Sequence, residues 1–394
     1  RAGPGLPRIG IDARWLFSGN PSGRVWVREV TRALVEQYPH HAYVLFHRPS
    51  EVARPLPFDV APPTQVTRVP VRSLTGLGTA LWSLPAAANR AEVDVLVTQY
   101  YAAPRVRAHQ ITVVHDVLFE SKPDYFSRRQ RLYFRPMRRM LRAADTIVTV
   151  STYVTHDLKR YGYVQPHQSL AVVPNGINPA FAKVTAQDVV AVRERYQLPE
   201  AFLLYVGRLN VRKNIDGLLT AVSEMRHQEA PLLLAGSAEG RTFDPRAYIE
   251  ALGLHDRVRL LGFVPDKDLP ALYGAARAFA YVSHAEGFGL PPVEAMAAGT
   301  PVVVSNTTSL PEVCGDAALY VSPTDQSAIA RALDRVWDDL PLRHRLTKAG
   351  RARATQFSWT RTADLLMRLV PGHENASMQD DPRAPNTPSS LFSA

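Results

Sequence analysis

Short runs of β-branched and aliphatic residues alternate with longer stretches whose apolar positions recur every three or four residues, almost from end to end. That alternation predicts parallel strands covered by helices, an α/β architecture. In the first half, RIGIDAR, YVLFH, QVTRVP, DVLVT, ITVVHD and TIVTVS read as strands. Amphipathic stretches lie between them, notably from Gly23 to Tyr38 and from Ser151 to Tyr161. SLAVVPNGINPAF then adds a strand and an Asn-Gly turn, which predicts a domain boundary near residue 180. The alternation restarts with FLLYVG, PLLLAG, VRLLGF, AFAYVS, TPVVVS and ALYVS, each followed by a helical segment. Two α/β layers in tandem, 1–180 and 181–370, imply a cleft between them, with ligands beyond the carboxyl ends of the strands. Residues 371–394 are rich in Pro, Ser, Asn and Asp and predict a disordered tail.

Composition narrows this picture. A chain of 394 residues is too long for one ordinary core, so two domains are the natural expectation. With 46% apolar and 21% charged residues it reads as soluble and globular. No window approaches the roughly 18 uninterrupted apolar residues of a membrane span. The opening RAGPGLPRIG lacks the apolar core of a signal peptide and begins at Arg1, so trimming of the N-terminus is expected. Cys314 is the sole cysteine, which excludes an intrachain disulfide and argues against a thiolate metal site. A cytoplasmic enzyme fits these bounds. The net charge of +10 is uneven: residues 1–180 carry 23 Lys+Arg against 12 Asp+Glu, and residues 181–394 carry 23 against 24. A basic first half facing a neutral second half points to an anionic partner: nucleic acid, a phospholipid surface or a phosphorylated small molecule.

Two stretches of the second half concentrate candidate chemistry. In YVGRLNVRKN a strand ends at Gly207, and Arg208 and Lys213 follow on a loop into a helix expected to start near Asn214. Asn is a good N-cap, and a helix N-terminus beside two cations would clamp a diphosphate; a solvated basic loop is the competing reading. In HAEGFGLPPVEAMAAGTPVV, Glu286 and Glu294 lie on either side of a Gly-Phe-Gly turn and a double proline. Pro291 and Pro292 belong at a helix start, which places Glu294 in the first turn and Gly299 at the stop. Gly287 and Gly289 would let backbone amides approach a ligand, whereas Glu294 alone also reads as a dipole-favoured carboxylate. In the first half, ITVVHD delivers His115 and Asp116 to the cleft. SRRQRLYFRPMRRMLR spaces Arg128, Arg131, Arg135, Arg138 and Arg142 as one helical stripe that Pro136 interrupts or kinks. That stripe is either a solvated face or a surface for a phosphorylated or membrane-borne acceptor.

The run E-G-F-G-L-P-P-V-E-A-M-A-A-G-T-P-V-V, with G-R-L-N-V-R-K-N upstream, closely resembles the retaining glycosyltransferases of family 4. The resemblance covers the second domain well and the first more loosely. It implies a GT-B fold, two Rossmann-like domains facing a central cleft, and a nucleotide diphosphate sugar as donor. By that resemblance Arg208 and Lys213 hold the diphosphate, and Glu286 hydrogen-bonds the transferred sugar. The backbone of Gly207, Gly287, Phe288, Gly289 and Leu290 lines sugar and phosphate, Glu294 takes the ribose, and Val264 contacts the base. His115 would lie near the reacting carbon. Gly23 matches the first glycine of a family loop, P-T-G-x-G, whose second glycine is Val25 here, so close backbone approach at Val25 is in doubt and Arg24 is left as a substitute charge. Asn178 stands where Asp is commoner.

The resemblance further implies that no metal is required, because fixed cations and amides do that work. GIDAR and VVHDVLFESKPDYFS are most similar to mannosyl- or rhamnosyl-type members, which favours GDP-mannose over a UDP-sugar. The expected partners are the nucleotide-sugar donor, a glycan, lipid-linked or small-molecule acceptor, and an anionic membrane met through the Arg128–Arg142 stretch at its inner face. A nucleotide-sugar epimerase or hydrolase is the rival enzyme. A nucleic-acid binder is the rival non-enzyme, but no helix-turn-helix, RRM or zinc signature accompanies the basic half.

Overall fold

The computed structural model describes residues 5–19, 21–72, 76–237 and 243–373. Residues 374–394, most of the expected tail, lie outside the described residues. Seven parallel strands form the first sheet: β1 (Ile9–Asp12), β2 (Ala42–His47), β3 (Gln65–Pro70), β4 (Val95–Gln99), β5 (His109–Val114), β6 (Thr146–Thr149) and β7 (Ser169–Val172). Their order is β3-β2-β1-β4-β5-β6-β7. Six more form the second: β8 (Leu203–Val206), β9 (Leu232–Ala235), β10 (Val258–Gly262), β11 (Ala278–Tyr281), β12 (Val302–Ser305) and β13 (Ala318–Val321), ordered β10-β9-β8-β11-β12-β13. Every expected strand is present. β4, β9, β11 and β12 are buried along their whole length, as parallel strands with both faces covered must be.

Both sheets reverse direction at one place, between β1 and β4 and between β8 and β11. Neighbouring loops diverge there, opening a crevice at the strand ends. His115 follows β5, Gly207 follows β8, and the loop bearing Glu286 follows β11, so topology carries these residues to strand ends.

Among the helices, α1 (Pro21–Gln37) begins two residues earlier than its apolar pattern suggested. The basic stretch is interrupted at Pro136, as expected. It splits into α2 (Arg128–Phe134) and a single turn Met137–Met140, because Pro136 has no N–H to continue the ladder. Ser127 and Gln130 close a capping box at the start of α2. Other helices include α3 (Thr152–Arg160), capped by Ser151, α4 (Ile215–Glu224), α5 (Leu290–Ala298), α6 (Leu310–Cys314) and α7 (Trp359–Met367). Among the described residues no helix is long and apolar enough to cross a membrane.

After the second sheet the chain returns to the first. α7 packs on α1, with the Tyr38 hydroxyl donating to Asp364 at 2.8 Å and Thr362 donating to the Pro174 carbonyl at 2.7 Å. Here two chain segments cross, and the Ile177 N–H bonds to the Phe357 carbonyl at 3.2 Å. Gly176 makes the crossing possible, since a Cβ there would stand 2.1 Å from the backbone nitrogen of Trp359. Backbone cannot rotate away as a side chain can, so Gly176→Ala should cost about 1–3 kcal/mol of stability. Denaturant unfolding of the variant, compared with the parent chain, measures this directly.

Candidate active site

The cation loop begins where β8 ends. The Gly207 φ of +148° permits a turn that few other residues adopt, and Arg208 to Asn210 follow it. Asn210 accepts from the Lys213 N–H at 3.1 Å and closes a single turn, Val211–Lys213. Asn214 does precede α4, but it does not cap it. Its backbone is left-handed at φ +56°, and its side chain donates to the carbonyls of Val282 at 2.9 Å and Pro323 at 2.7 Å. The amide ties the cation loop to the end of β11 instead of satisfying the helix.

That tie brings the cations against Glu286. Lys213 Nζ lies 2.6 Å from Glu286 Oε1, over the ring of Tyr281 and bonded to its hydroxyl. Arg212 Nη1 lies 3.0 Å from Oε2 and donates to the Ala285 carbonyl at 2.6 Å. Glu286 as a residue is 6% exposed. Burial alone would raise its pKa, but Lys213 and Arg212 outweigh burial and hold it at about 2. Burial pulls the Lys213 ammonium down to about 8 against the attraction of Glu286, with Arg212 and Arg208 adding repulsion. The carboxylate thus stays ionised between two cations, while the ammonium shares it with a guanidinium. Arg212 was not among the residues expected from sequence; it adjoins Lys213 in the same loop, and only the fold turns it inward.

Gly287 has no room for a side chain, because a Cβ would meet the His115 carbonyl at 2.1 Å and Asp116 Cβ at 2.9 Å. The strand end of the first sheet therefore touches the loop of the second. Phe288 turns inward and packs edge-on against Phe357. Gly289, at φ +101°, starts α5 at Leu290, and Pro291 and Pro292 fill its first turn. Glu294 is consequently the fifth helical residue, in the second turn rather than the first as expected. Its carboxylate accepts from the Tyr273 hydroxyl at 3.1 Å. Burial raises its pKa to about 7 despite that bond. Val264, just past β10, is buried, and Phe263 beside it is 77% exposed.

In the first sheet His115 is 5% exposed and its Nε2 lies 2.7 Å from Gln99 Oε1. The amide oxygen can only accept, so Nε2 carries the proton and Nδ1 is left as an acceptor. Burial lowers the His115 pKa to about 4, so the ring is neutral at physiological pH. Gln99 Nε2 in turn donates to the Gly23 carbonyl at 3.4 Å, joining β4, β5 and the start of α1. Gly23 admits no Cβ, which would lie 2.3 Å from the Trp15 ring. Val25 packs against the core, and Arg24 points to solvent.

Two family models match this chain: Glycosyltransferase Family 4 over residues 23–181, and Glycosyl transferases group 1 over residues 192–353. The chain belongs to the glycosyltransferases of family 4 type with the GT-B fold. It is 37% identical over 258 residues to the O-antigen chain mannosyltransferase B of Escherichia coli, covering 63% of this chain and 66% of that protein. It is 31% identical over 229 residues to the serotype-specific mannosyltransferase WbdA of Escherichia coli, covering 56% of this chain and 28% of that protein. The chain thus spans less than two thirds of the length of these relatives. Among solved structures, a sucrose-phosphate synthase from Thermosynechococcus elongatus superposes with a TM-score of 0.74 at 23% identity, covering 94% of this chain and all of that one. WaaG, a glycosyltransferase involved in lipopolysaccharide biosynthesis, superposes at 0.71 and 18% identity, covering 92% and 100%. At such identities these structures speak to the fold alone.

The raised Glu294 pKa has a thermodynamic consequence. Between the usual 4.5 and about 7 the folded chain holds a proton that the unfolded chain has released. Stability therefore falls as pH rises through that window. Glu294→Gln should remove this fall, so the two melting curves should converge toward acid and separate above neutrality. Parallel curves from about pH 5 to about pH 8 would refute the shift.

Proposed function

We propose that this protein transfers a hexose from a nucleotide diphosphate sugar to an acceptor hydroxyl with retention of anomeric configuration. The observation that carries the reading is the buried Lys213–Glu286–Arg212 cluster at a strand-order reversal, with Arg208 within electrostatic reach. Two cations on one carboxylate leave positive charge to meet a diphosphate. Both oxygens of Glu286 are engaged by cations, so it is a poor base and a good acceptor for sugar hydroxyls.

In the proposed reaction the acceptor hydroxyl attacks the anomeric carbon from the side the diphosphate leaves. The bond from carbon to phosphate oxygen breaks as the new glycosidic bond forms, and the hydroxyl proton passes to the departing phosphate. Arg208 and Lys213 stabilise the charge that develops there, which is work a bound cation would otherwise do. His115, neutral and held by Gln99, orients the sugar. Glu294 receives the ribose, Val264 faces the base, and Gly207 with Gly287, Phe288, Gly289 and Leu290 supplies close backbone.

Mannose is the favoured sugar, supported by relatives named as mannosyltransferases, and GDP-mannose is the donor proposed to carry it. The acceptor is a glycan, a lipid-linked sugar or a small molecule, in surface polysaccharide assembly at the cytoplasmic face. Lys213→Ala and Arg208→Ala should each lower kcat by about 10²–10³-fold, read as nucleoside diphosphate released per unit time. The parent activity should survive chelation by EDTA. A product of inverted configuration by NMR would overturn the mechanism, and no turnover with any GDP-, UDP- or ADP-sugar would overturn the function.

Membrane contact is proposed for the stretch around α2. Arg128, Arg129, Arg131 and Arg135 are all exposed, and Leu132 and Tyr133 stand 65% and 43% exposed among them. Cations flanking exposed apolar groups suit an anionic headgroup layer. The chain should co-sediment with phosphatidylglycerol vesicles at low salt and be released at high salt; failure to bind at low salt would eliminate this surface.

A further inference from the structure

The loop that carries Glu286 is held from two sides. From its own domain, Ser309 Oγ donates to the carbonyls of Glu286 at 2.9 Å and Phe288 at 3.0 Å. Between those two, the Gly287 carbonyl accepts from the other domain, from Ser151 Oγ at 2.7 Å. Ser151 is the N-cap of α3, and the next two N–H groups of that helix also reach across. Thr152 N–H donates to Glu312 Oε1 at 2.7 Å, and Tyr153 N–H to Oε2 at 3.1 Å. Free N–H groups and the positive end of a helix dipole make this a favourable seat for a carboxylate.

Glu312 is firmly mounted. It lies on α6, three residues beyond Ser309, and Arg353 donates to the Glu312 carbonyl at 2.6 Å and the Val313 carbonyl at 2.9 Å. Nearby, the Tyr125 ring of the first domain stacks on His284, two residues before Glu286, at 5.7 Å and 10°. The contacts form a closed ring: Ser151 to Gly287, the loop to Ser309, Ser309 along α6 to Glu312, and Glu312 back to α3. Separation of the domains removes Ser151 from the middle of the loop.

We propose that Glu312 is a positioning residue that latches α3 to α6, so that domain closure sets the geometry of the Glu286 loop. Glu312 touches no reacting atom in this scheme. It acts by keeping Ser151 on the Gly287 carbonyl, and so keeps Glu286 where the sugar needs it. The catalytic part of this inference rests on the proposed transferase function, whereas the latch itself does not.

The test uses the full chain with Glu312→Ala and Glu312→Gln. Small-angle scattering should show a larger radius of gyration for Glu312→Ala. Calorimetric affinity for GDP or UDP should change by less than about twofold, because the cation loop is untouched, while kcat falls at least about tenfold. Glu312→Gln should recover part of kcat, since the amide oxygen still accepts one N–H. An unchanged radius of gyration overturns the latch whether or not the protein transfers sugar. Parent-level kcat in Glu312→Ala, or equal losses in nucleotide affinity and kcat, overturns its positioning role. A parent chain that binds no nucleoside diphosphate counts instead against the donor site.

Discussion

The buried pairing of Glu286 with Lys213 and Arg212 organises the centre of this molecule. A carboxylate this hidden from water would be costly alone, and removal of either cation would leave charge uncompensated in a low-dielectric setting. The surrounding backbone is arranged to prevent that. Asn214 fixes the cation loop to β11, Thr308 accepts the Glu286 N–H, and Ser309 holds the flanking carbonyls. Movement of the loop would expose an ion cluster or strand it, so the site is both charged and stiff.

The two sides of the cleft differ in kind. The second sheet presents the Glu286 ion cluster at its strand ends, whereas the first presents His115, Gln99 and Tyr100 beside Asp116 and the Asp12–Arg14 pair. Gly287 marks where the walls meet, for no residue with a Cβ fits between them. The same close approach lets a helix of one domain reach a carboxylate of the other.

Parts of this arrangement were legible in the residues. The strand runs were clear because buried parallel strands need unbroken aliphatic sequence. Gly207, Gly289 and Gly299 stood at turns, and all three adopt positive φ. Other parts were not legible. The helix expected to hold Glu294 in its first turn starts earlier, at Leu290 after the left-handed Gly289, so the prolines fill the first turn and Glu294 falls in the second. Asn214 has the composition of a cap, yet it serves as a strap, since two carbonyls of distant strands and loops compete for its amide. The break of the arginine stripe at Pro136, by contrast, was legible, since proline brings no N–H to the ladder.

By itself the sequence determined the alternation of strand and helix, the doubling of the α/β unit, and the presence of two glutamates and two cations in the segments that follow strands. These follow from local rules: period, turn chemistry and the limits of proline and glycine. The partners of those groups were decided only by the tertiary structure. Arg212 was one basic residue among several until the fold set it on Glu286, and Glu312 was an ordinary surface glutamate until α3 arrived opposite it. Contacts between residues 160 positions apart leave no trace in local pattern, because they depend on where two separate sheets come to rest.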